Sequence, residues 1–382
     1  MKISVVIPAL NEERTIGTCI KKAKKSLAEL GIEGEVIVAD NNSTDSTREV
    51  SQQLGARVVI AEQKGYGNAY QAGFVEATGE YIIMGDADDS YNFEEIKPFY
   101  QKLEEGFEFV MGNRFRGNIE SGAMPWLHRY VGTPFLTGVM NLFFKTGIGD
   151  TNCGMRGFRR DALERMGVNA PGMEFATEMV IKASLAGLKI SEVPCNLYRD
   201  KRDRKPHLRT FRDGWRYLRF MLLFSPAWTF FIPGVILVVL GLFGLITLTL
   251  RDVFWPETLL FVSQRHMLSF MVLFILGFQI ISLGLAASVF GFSTARRQKS
   301  RLIIWLQKYF SLERGMLTGA TISFLSVLVL VYLFVSFYWK TLPDVSEILR
   351  LDIAVISIAF FILGVQFIYT SFLLGIHYLK IR

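Results

Sequence analysis

Tyr81-Ile82-Ile83-Met84-Gly85-Asp86-Ala87-Asp88 is the stretch whose reading decides the fold. Its first half is a short apolar run suited to a strand buried on both faces, and two carboxylates one residue apart stand where that strand ends. Residues i and i+2 of an extended chain share a side. The small Ala87 between them leaves room for a hard, oxygen-liganded cation such as Mg2+ or Mn2+, which commonly keeps substrate phosphates among its ligands. An Asp-rich turn is also ordinary turn chemistry, so the motif takes its meaning from its surroundings.

Upstream, strands and helices alternate: strands over Ile3–Ile7, Glu35–Ala39 and Arg57–Ala61, and helices over Glu13–Leu30, Ser43–Leu54 and Asn68–Ala77. This is the pattern of an α/β domain with a mostly parallel, Rossmann-like sheet covered on both faces. Ligands of such sheets bind at the carboxyl ends of the strands. Pro8-Ala9-Leu10-Asn11-Glu12, Asp40-Asn41-Asn42-Ser43 and Asp86-Ala87-Asp88 all fall at those ends, so three polar tips converge on one edge. A dinucleotide site is excluded because no glycine-rich turn follows the first strand, and the GxG of Gly65-Tyr66-Gly67 comes only after the third. Downstream, strands are expected over Phe107–Met111 and Lys189–Val193 and helices over Asp161–Met166 and Glu174–Ala186. Arg156 falls in the stretch Asp150–Phe158, which precedes the second of these strands and the helix at Asp161. The aromatic stretch Met124–Phe144 reads as a helix lying against a bilayer surface.

After Ser225 the charges thin out. Apolar blocks near Trp228–Leu250, Met267–Phe292, Met316–Trp339 and Ile353–Tyr378 each reach the ~20 residues a helix needs to cross ~30 Å of hydrocarbon. Basic residues crowd the flanks at Arg209 to Arg219, Arg296 to Arg314 and Lys380 to Arg382, whereas the other two loops hold Asp252, Glu257, Asp344 and Glu347. This asymmetry predicts a multi-pass protein of the plasma (cytoplasmic) membrane with the α/β domain and both termini cytoplasmic. The expected divisions are 1–210 for the α/β domain, 211–226 for a juxtamembrane interfacial helix and 227–382 for four transmembrane helices. The segment from Arg296 to Arg314 reads as an amphipathic helix on the inner surface. The net charge of +7 sits beside the membrane and points to anionic lipid as a partner, with no nucleic-acid motif accompanying it. Three scattered cysteines fit a reducing compartment rather than a disulfide framework.

Taken in order, Val5-Val6-Ile7-Pro8-Ala9-Leu10-Asn11-Glu12-Glu13, Asp40 to Thr47, Gly85-Asp86-Ala87-Asp88 and Gly112-Asn113-Arg114-Phe115 resemble the GT-A nucleotide-sugar glycosyltransferases of family 2. Within that family the similarity is to the polyprenyl-phosphate group, which includes dolichyl-phosphate mannose and glucose synthases, and it covers roughly residues 1 to 225. The resemblance implies that Asp86 and Asp88 hold the divalent ion on the donor diphosphate. Pro8, Ala9, Asn11 and Glu12 would line the nucleoside pocket with Asp40 beside the base or ribose, and Arg114, Arg129 and Arg156 would serve the phosphates. The run from Tyr198 to Leu208 corresponds to a segment over the active site, with Arg202, Arg204, Lys205 and His207 as acceptor-phosphate contacts. Two positions depart from the family pattern: Asn41 replaces the second residue of an Asp-Asp pair, and Ser90 stands where some mannose synthases have Gln.

The expected reaction moves one hexose from a nucleotide sugar, UDP-glucose ahead of GDP-mannose, to a dolichyl or undecaprenyl phosphate, with inversion. No QxxRW acceptor motif of processive synthases is present. A phosphate monoester with a second pKa of about 6 is already nucleophilic at neutral pH, so no strong base is required, although Glu178 remains open as a positioner or base. Two other classes stay open: a membrane-anchored transferase with a non-lipid acceptor, and a lipid-linked sugar transporter or assembly scaffold. Span centres poor in charge argue against transport. Homo-oligomerisation is also left open.

Overall fold

A computed structural model of the protein describes residues 1–201, 210–254, 260–294, 312–339 and 347–379. The chain divides into two units, Met1–Phe224 and Ser225–Arg382.

The first unit is built on a seven-stranded sheet of β1 (Ile3–Ala9), β2 (Gly34–Asp40), β3 (Arg57–Ile60), β4 (Tyr81–Met84), β5 (Phe109–Asn113), β6 (Arg156–Arg159) and β7 (Ile190–Pro194). The order is β3-β2-β1-β4-β6-β5-β7. All neighbours are parallel except β6, which runs antiparallel to both β4 and β5. β1 shows why the apolar runs read as doubly covered: Val6 joins one core cluster while Ile3, Val5 and Ile7 join the other, on the opposite face.

The helices of this unit are α1 (Ile16–Glu29), α2 (Thr47–Gln53), α3 (Tyr66–Glu76), α4 (Ile96–Glu104), α5 (Thr133–Phe144), α6 (Arg160–Met166), α7 (Phe175–Leu185) and α8 (Thr210–Phe224). α3 starts two residues before its expected place. Gly65 makes the turn at φ 145, and a Cβ there would stand 2.3 Å from the Pro171 carbonyl oxygen, so the close approach requires glycine.

One strand is not among those expected: β6, whose sequence Arg-Gly-Phe-Arg holds one apolar side chain and carries no strand signal of its own. The expected helix over Met124–Phe144 forms from Trp126 onward, with a π-helical turn at His128–Gly132. There the Thr133 N–H donates to the His128 carbonyl five residues back. Pro134 has no N–H for the Tyr130 carbonyl, which favours the wider turn. α5 also buries Leu136, Met140 and Phe144 in the sheet's core cluster, so it is part of the domain, with Phe135 and Leu142 left exposed. α8 is amphipathic in the same way: Asp213, Tyr217 and Met221 are buried four residues apart, while Phe211, Trp215 and Leu223 are exposed.

The second unit holds α9 (Ile232–Phe254), α10 (Leu260–Thr294), α11 (Leu312–Trp339) and α12 (Glu347–Leu379). Among the described residues four segments are long and apolar enough to cross a membrane: Ala227–Leu250, His266–Val289, Leu312–Trp339 and Leu349–Gly375. α11 meets α12 through facing glycines; a Cβ on Gly319 would lie 2.6 Å from the Gly364 carbonyl oxygen, the close backbone packing that small residues allow between membrane helices. The expected amphipathic segment from Arg296 falls outside the described residues as far as 311.

Candidate active site

The tips of β1 and β2 are stitched together by side chain to backbone bonds. Asn11 sits at φ 55, where a short polar side chain is tolerated; its N–H donates to Ser43 Oγ at 2.9 Å and its Oδ1 accepts from the Thr44 N–H at 2.7 Å. Glu12 is buried, with its N–H on Thr47 Oγ1 at 2.8 Å. Asp40 is fully buried: both of its oxygens accept from the Ser43 N–H at 3.2 Å and Oδ2 accepts from Arg48 Nε at 2.7 Å. Asn41, at the departure from the family pattern, accepts the Gly65 N–H at 3.0 Å and so ties the β2 tip to the turn before α3. Pro8 and Ala9 end β1 beside Ala39 and Asp40. The expected nucleoside residues are thus brought to one edge, with Asp40 held by its own turn.

β4 ends beside them. Asp86 and Asp88 are both half-buried. Asp86 Oδ1 accepts from the Tyr66 hydroxyl at 2.9 Å. Burial, reinforced by Asp86, raises the Tyr66 phenol well above its ordinary pKa, so it remains a donor. Asp88 Oδ1 accepts from both the N–H and the hydroxyl of Ser90, at 3.1 and 2.6 Å. Asp89 turns away: at φ 58 and almost fully buried, it pairs with Lys22 and Lys201, each at 2.6 Å. Among the described residues no three His, Cys, Asp or Glu side chains cluster as a metal cage. Two adjacent carboxylates, one oriented by a phenol and the other by a serine, nevertheless suit an ion of the Mg2+ or Mn2+ type, which takes one or two carboxylates and completes its shell with phosphate and water.

Asp86 stands in the wall of a cavity of about 510 Å³, together with Tyr66, Tyr91, Arg114, His128 and Asn152. Apart from Thr133, the rest of the lining is mostly apolar and aromatic, from Leu127, Val131, Phe135 and Leu136 to Phe211, Trp215 and Leu218 of α8. Arg114 is nearly buried and forms a bidentate pair with Asp150, Nε to Oδ2 at 2.6 Å and Nη2 to Oδ1 at 2.8 Å. Tyr91 holds the facing loop through the Gly154 N–H at 2.9 Å. Burial, with Arg114 nearby, keeps the His128 imidazole below the ordinary histidine pKa.

Arg156 and Arg129 stand apart from this lining. Arg156 is fully buried and donates to the carbonyls of Cys153, Ala176 and Thr151 at 3.0, 2.5 and 3.3 Å; it supports the loop that faces Asp86. Arg129 lies over the Tyr130 ring at 5.6 Å. Glu178 is buried, accepts the N–H groups of Asn169 and Ala170 at 2.9 and 2.7 Å, and pairs with Lys182, so it holds a turn. Arg202, Arg204, Lys205 and His207 lie outside the described residues. Sequence reasoning passed over Tyr66, Tyr91, His128 and Asp89. Only Asp89 carried a signal, as the third acid of its run.

A sequence model described as glycosyl transferase family 2 matches residues 4–167, and one described as the glycosyltransferase family 2 C-terminal transmembrane region matches 285–377. The chain is 36% identical over 380 residues, 98% of its length and 88% of the relative's, to the low-salt glycan biosynthesis hexosyltransferase Agl6 of Haloferax volcanii. It is 29% identical over 198 residues, 50% of its length and 81% of the relative's, to a dolichyl-phosphate hexose transferase of the same organism. Among solved structures, glucosyl-3-phosphoglycerate synthase from Mycobacterium tuberculosis, in complex with Mn2+, UDP and glucosyl-3-phosphoglycerate, aligns at 25% identity. That alignment has a TM-score of 0.44 and covers 58% of this chain and 78% of the other. The ordered strand-tip motifs, the GT-A sheet and the apolar C-terminal helices thus belong together: the chain is a membrane-bound member of glycosyl transferase family 2, a hexosyltransferase.

Proposed function

We propose that this hexosyltransferase moves a single hexose from a nucleotide sugar to a polyprenyl phosphate at the cytoplasmic membrane face. UDP-glucose is the favoured donor and GDP-mannose the next. The observation that carries this reading is the cavity that places Asp86 and Arg114 in the same enclosure as long apolar and aromatic walls. A sugar donor alone needs no such walls, whereas an acceptor with an anionic head and a hydrocarbon tail needs both. The name of the Haloferax volcanii dolichyl-phosphate hexose transferase supports that acceptor class.

In the proposed step an acceptor phosphate oxygen attacks the anomeric carbon, the bond from that carbon to the donor diphosphate breaks, and its electron pair leaves on the nucleoside diphosphate with inversion. The acceptor is already an anion at neutral pH, so the residues must gather negative charge rather than remove a proton. Arg114 fits that role: Asp150 orients its fork through Nε and Nη2 and leaves Nη1 for a further acceptor. Asp86 and Asp88 would hold Mg2+ or Mn2+, which when bound supplies Lewis-acid neutralisation of the leaving diphosphate. Pro8, Ala9, Asn11 and Glu12 would border the nucleoside. Asn41 and Ser90, whose side chains are tied to Gly65 and Asp88, underlie the preference for UDP-glucose.

Purified protein supplied with radiolabelled UDP-glucose or GDP-mannose, polyprenyl phosphate and divalent metal tests the reading. Label should enter the lipid phase, from UDP-glucose in preference, and Asp88→Ala or chelation should reduce transfer to background. Near-normal turnover in Asp88→Ala would remove the metal assignment, and transfer that is indifferent to lipid phosphate would point to a non-lipid acceptor.

A further inference from the structure

α8 borders two cavities. Trp215, Tyr217 and Leu218 line the one described above, whereas Arg216, Arg219, Phe220 and Leu223 line a second, of about 520 Å³, closed by Lys64 and by Pro171, Gly172 and Glu174. The second cavity shares no lining residue with the first.

Its chemistry is distinctive. Three cationic side chains, brought from the turn before α3 and from α8, face one carboxylate, Glu174. Among the described residues Lys64 and Arg219 form no ion pair, and Arg216 reaches only Asp213, at 3.6 Å. Three cations set against the carboxylates of Glu174 and Asp213 leave an excess of positive charge, which an anion between them relieves. The remaining lining is apolar: Phe220 stacks on Phe224 with centroids 4.6 Å apart, and Leu223 is 71% exposed. A soluble anion has no use for that apolar floor. In the sequence Leu223 stands just before the span that begins at Ala227.

We propose that this second cavity is a headgroup site for an anionic membrane phospholipid. Lys64, Arg216 and Arg219 hold the phosphate, and the first methylenes of the lipid lie along Phe220 and Leu223. Lys64 is two residues from Tyr66, whose hydroxyl holds Asp86, so an occupied headgroup site also steadies the turn that orients the carboxylate. The inference rests on the membrane assignment of the chain and not on the transfer reaction, so lipid retention tests it whatever the donor and acceptor prove to be.

Full-length protein, delipidated in detergent and offered phosphatidylglycerol or phosphatidylcholine, is examined by native mass spectrometry. The wild type should retain one phosphatidylglycerol in preference to phosphatidylcholine. Lys64→Ala/Arg219→Ala should bind it about thirtyfold more weakly, from the loss of two cations that each contribute about 1 kcal/mol near anionic lipid. Lys64→Arg/Arg219→Lys, which keeps the charge, should restore retention and so separates the site's charge from damage to the fold. Equal retention of the two lipids, unchanged retention in the alanine variant, or displacement of the bound lipid by UDP would each overturn the proposal, the last by assigning the cavity to the donor.

Discussion

Asp86 is oriented by a phenol, and this single hydrogen bond makes a testable demand. Tyr66 donates to Oδ1 at 2.9 Å, and its ring packs edge-on against Tyr70 with centroids 5.0 Å apart. Tyr66→Phe keeps the ring packing and frees the carboxylate to rotate. The apparent affinity for Mn2+ in transfer assays should fall about tenfold, the lower end for loss of a group that orients a metal ligand, while the rate at saturating metal changes little. An unchanged metal titration would show that Asp86 needs no such partner. His128 offers a pH test. Its folded-state pKa lies below the unfolded value because burial beside Arg114 disfavours the imidazolium. Above the unfolded pKa both states are neutral and the residue makes no pH-dependent difference. As pH falls through the unfolded and then the folded pKa, the unfolded chain takes up the proton more readily and stability is lost. The melting temperature of His128→Gln should therefore gain on that of the wild type from pH 7.5 down to pH 5; parallel curves would contradict the shift.

At the scale of elements, the segment after β4 divides its three acids between two tasks. Asp86 stands in the cavity wall and Asp88 accepts from Ser90, while Asp89 anchors the segment to α1 through Lys22 and to the chain beyond β7 through Lys201. Asp89→Asn keeps a side chain that tolerates the left-handed backbone at φ 58 but removes the charge from both pairs. Breaking a fully buried pair would cost several kcal/mol; because Lys22 and Lys201 reach solvent, a loss of about 1–2 kcal/mol is expected. Chemical denaturation of the purified protein or a shift in its thermal melting reads it. The same comparison explains what could be seen in the sequence at this scale. β1, β2 and β4 announce themselves because they are apolar throughout. β6 does not, since Arg156 is buried only by virtue of carbonyls from Cys153, Thr151 and Ala176, partners that exist only after folding. α5 was legible as apolar and aromatic, but which of its residues face the sheet depends on the π-turn before it.

For the whole molecule, the charge asymmetry around the four apolar helices supports the proposal that the termini and the α/β unit face the cytoplasm. The three native cysteines are buried, so the wild type should resist an impermeant maleimide in intact cells. Glu257→Cys should label from outside, and Gln298→Cys only after permeabilisation; the opposite pattern would invert the proposed orientation. By itself the sequence determined the family, the α/β sheet with its three polar tips and the membrane spans. Those features reside in local apolar periodicity and in residues adjacent along the chain. Only the tertiary structure decided that Tyr66 and Ser90 orient the carboxylates, that Asp89 is an anchor, that Arg114 meets Asp150 while Arg156 supports a loop, and that apolar walls from α5 and α8 enclose the Asp86 edge. Apart from the local bonds of Ser90 and Arg156, these hydrogen bonds and cavities join residues tens of positions apart, and no window of sequence carries the distance between them.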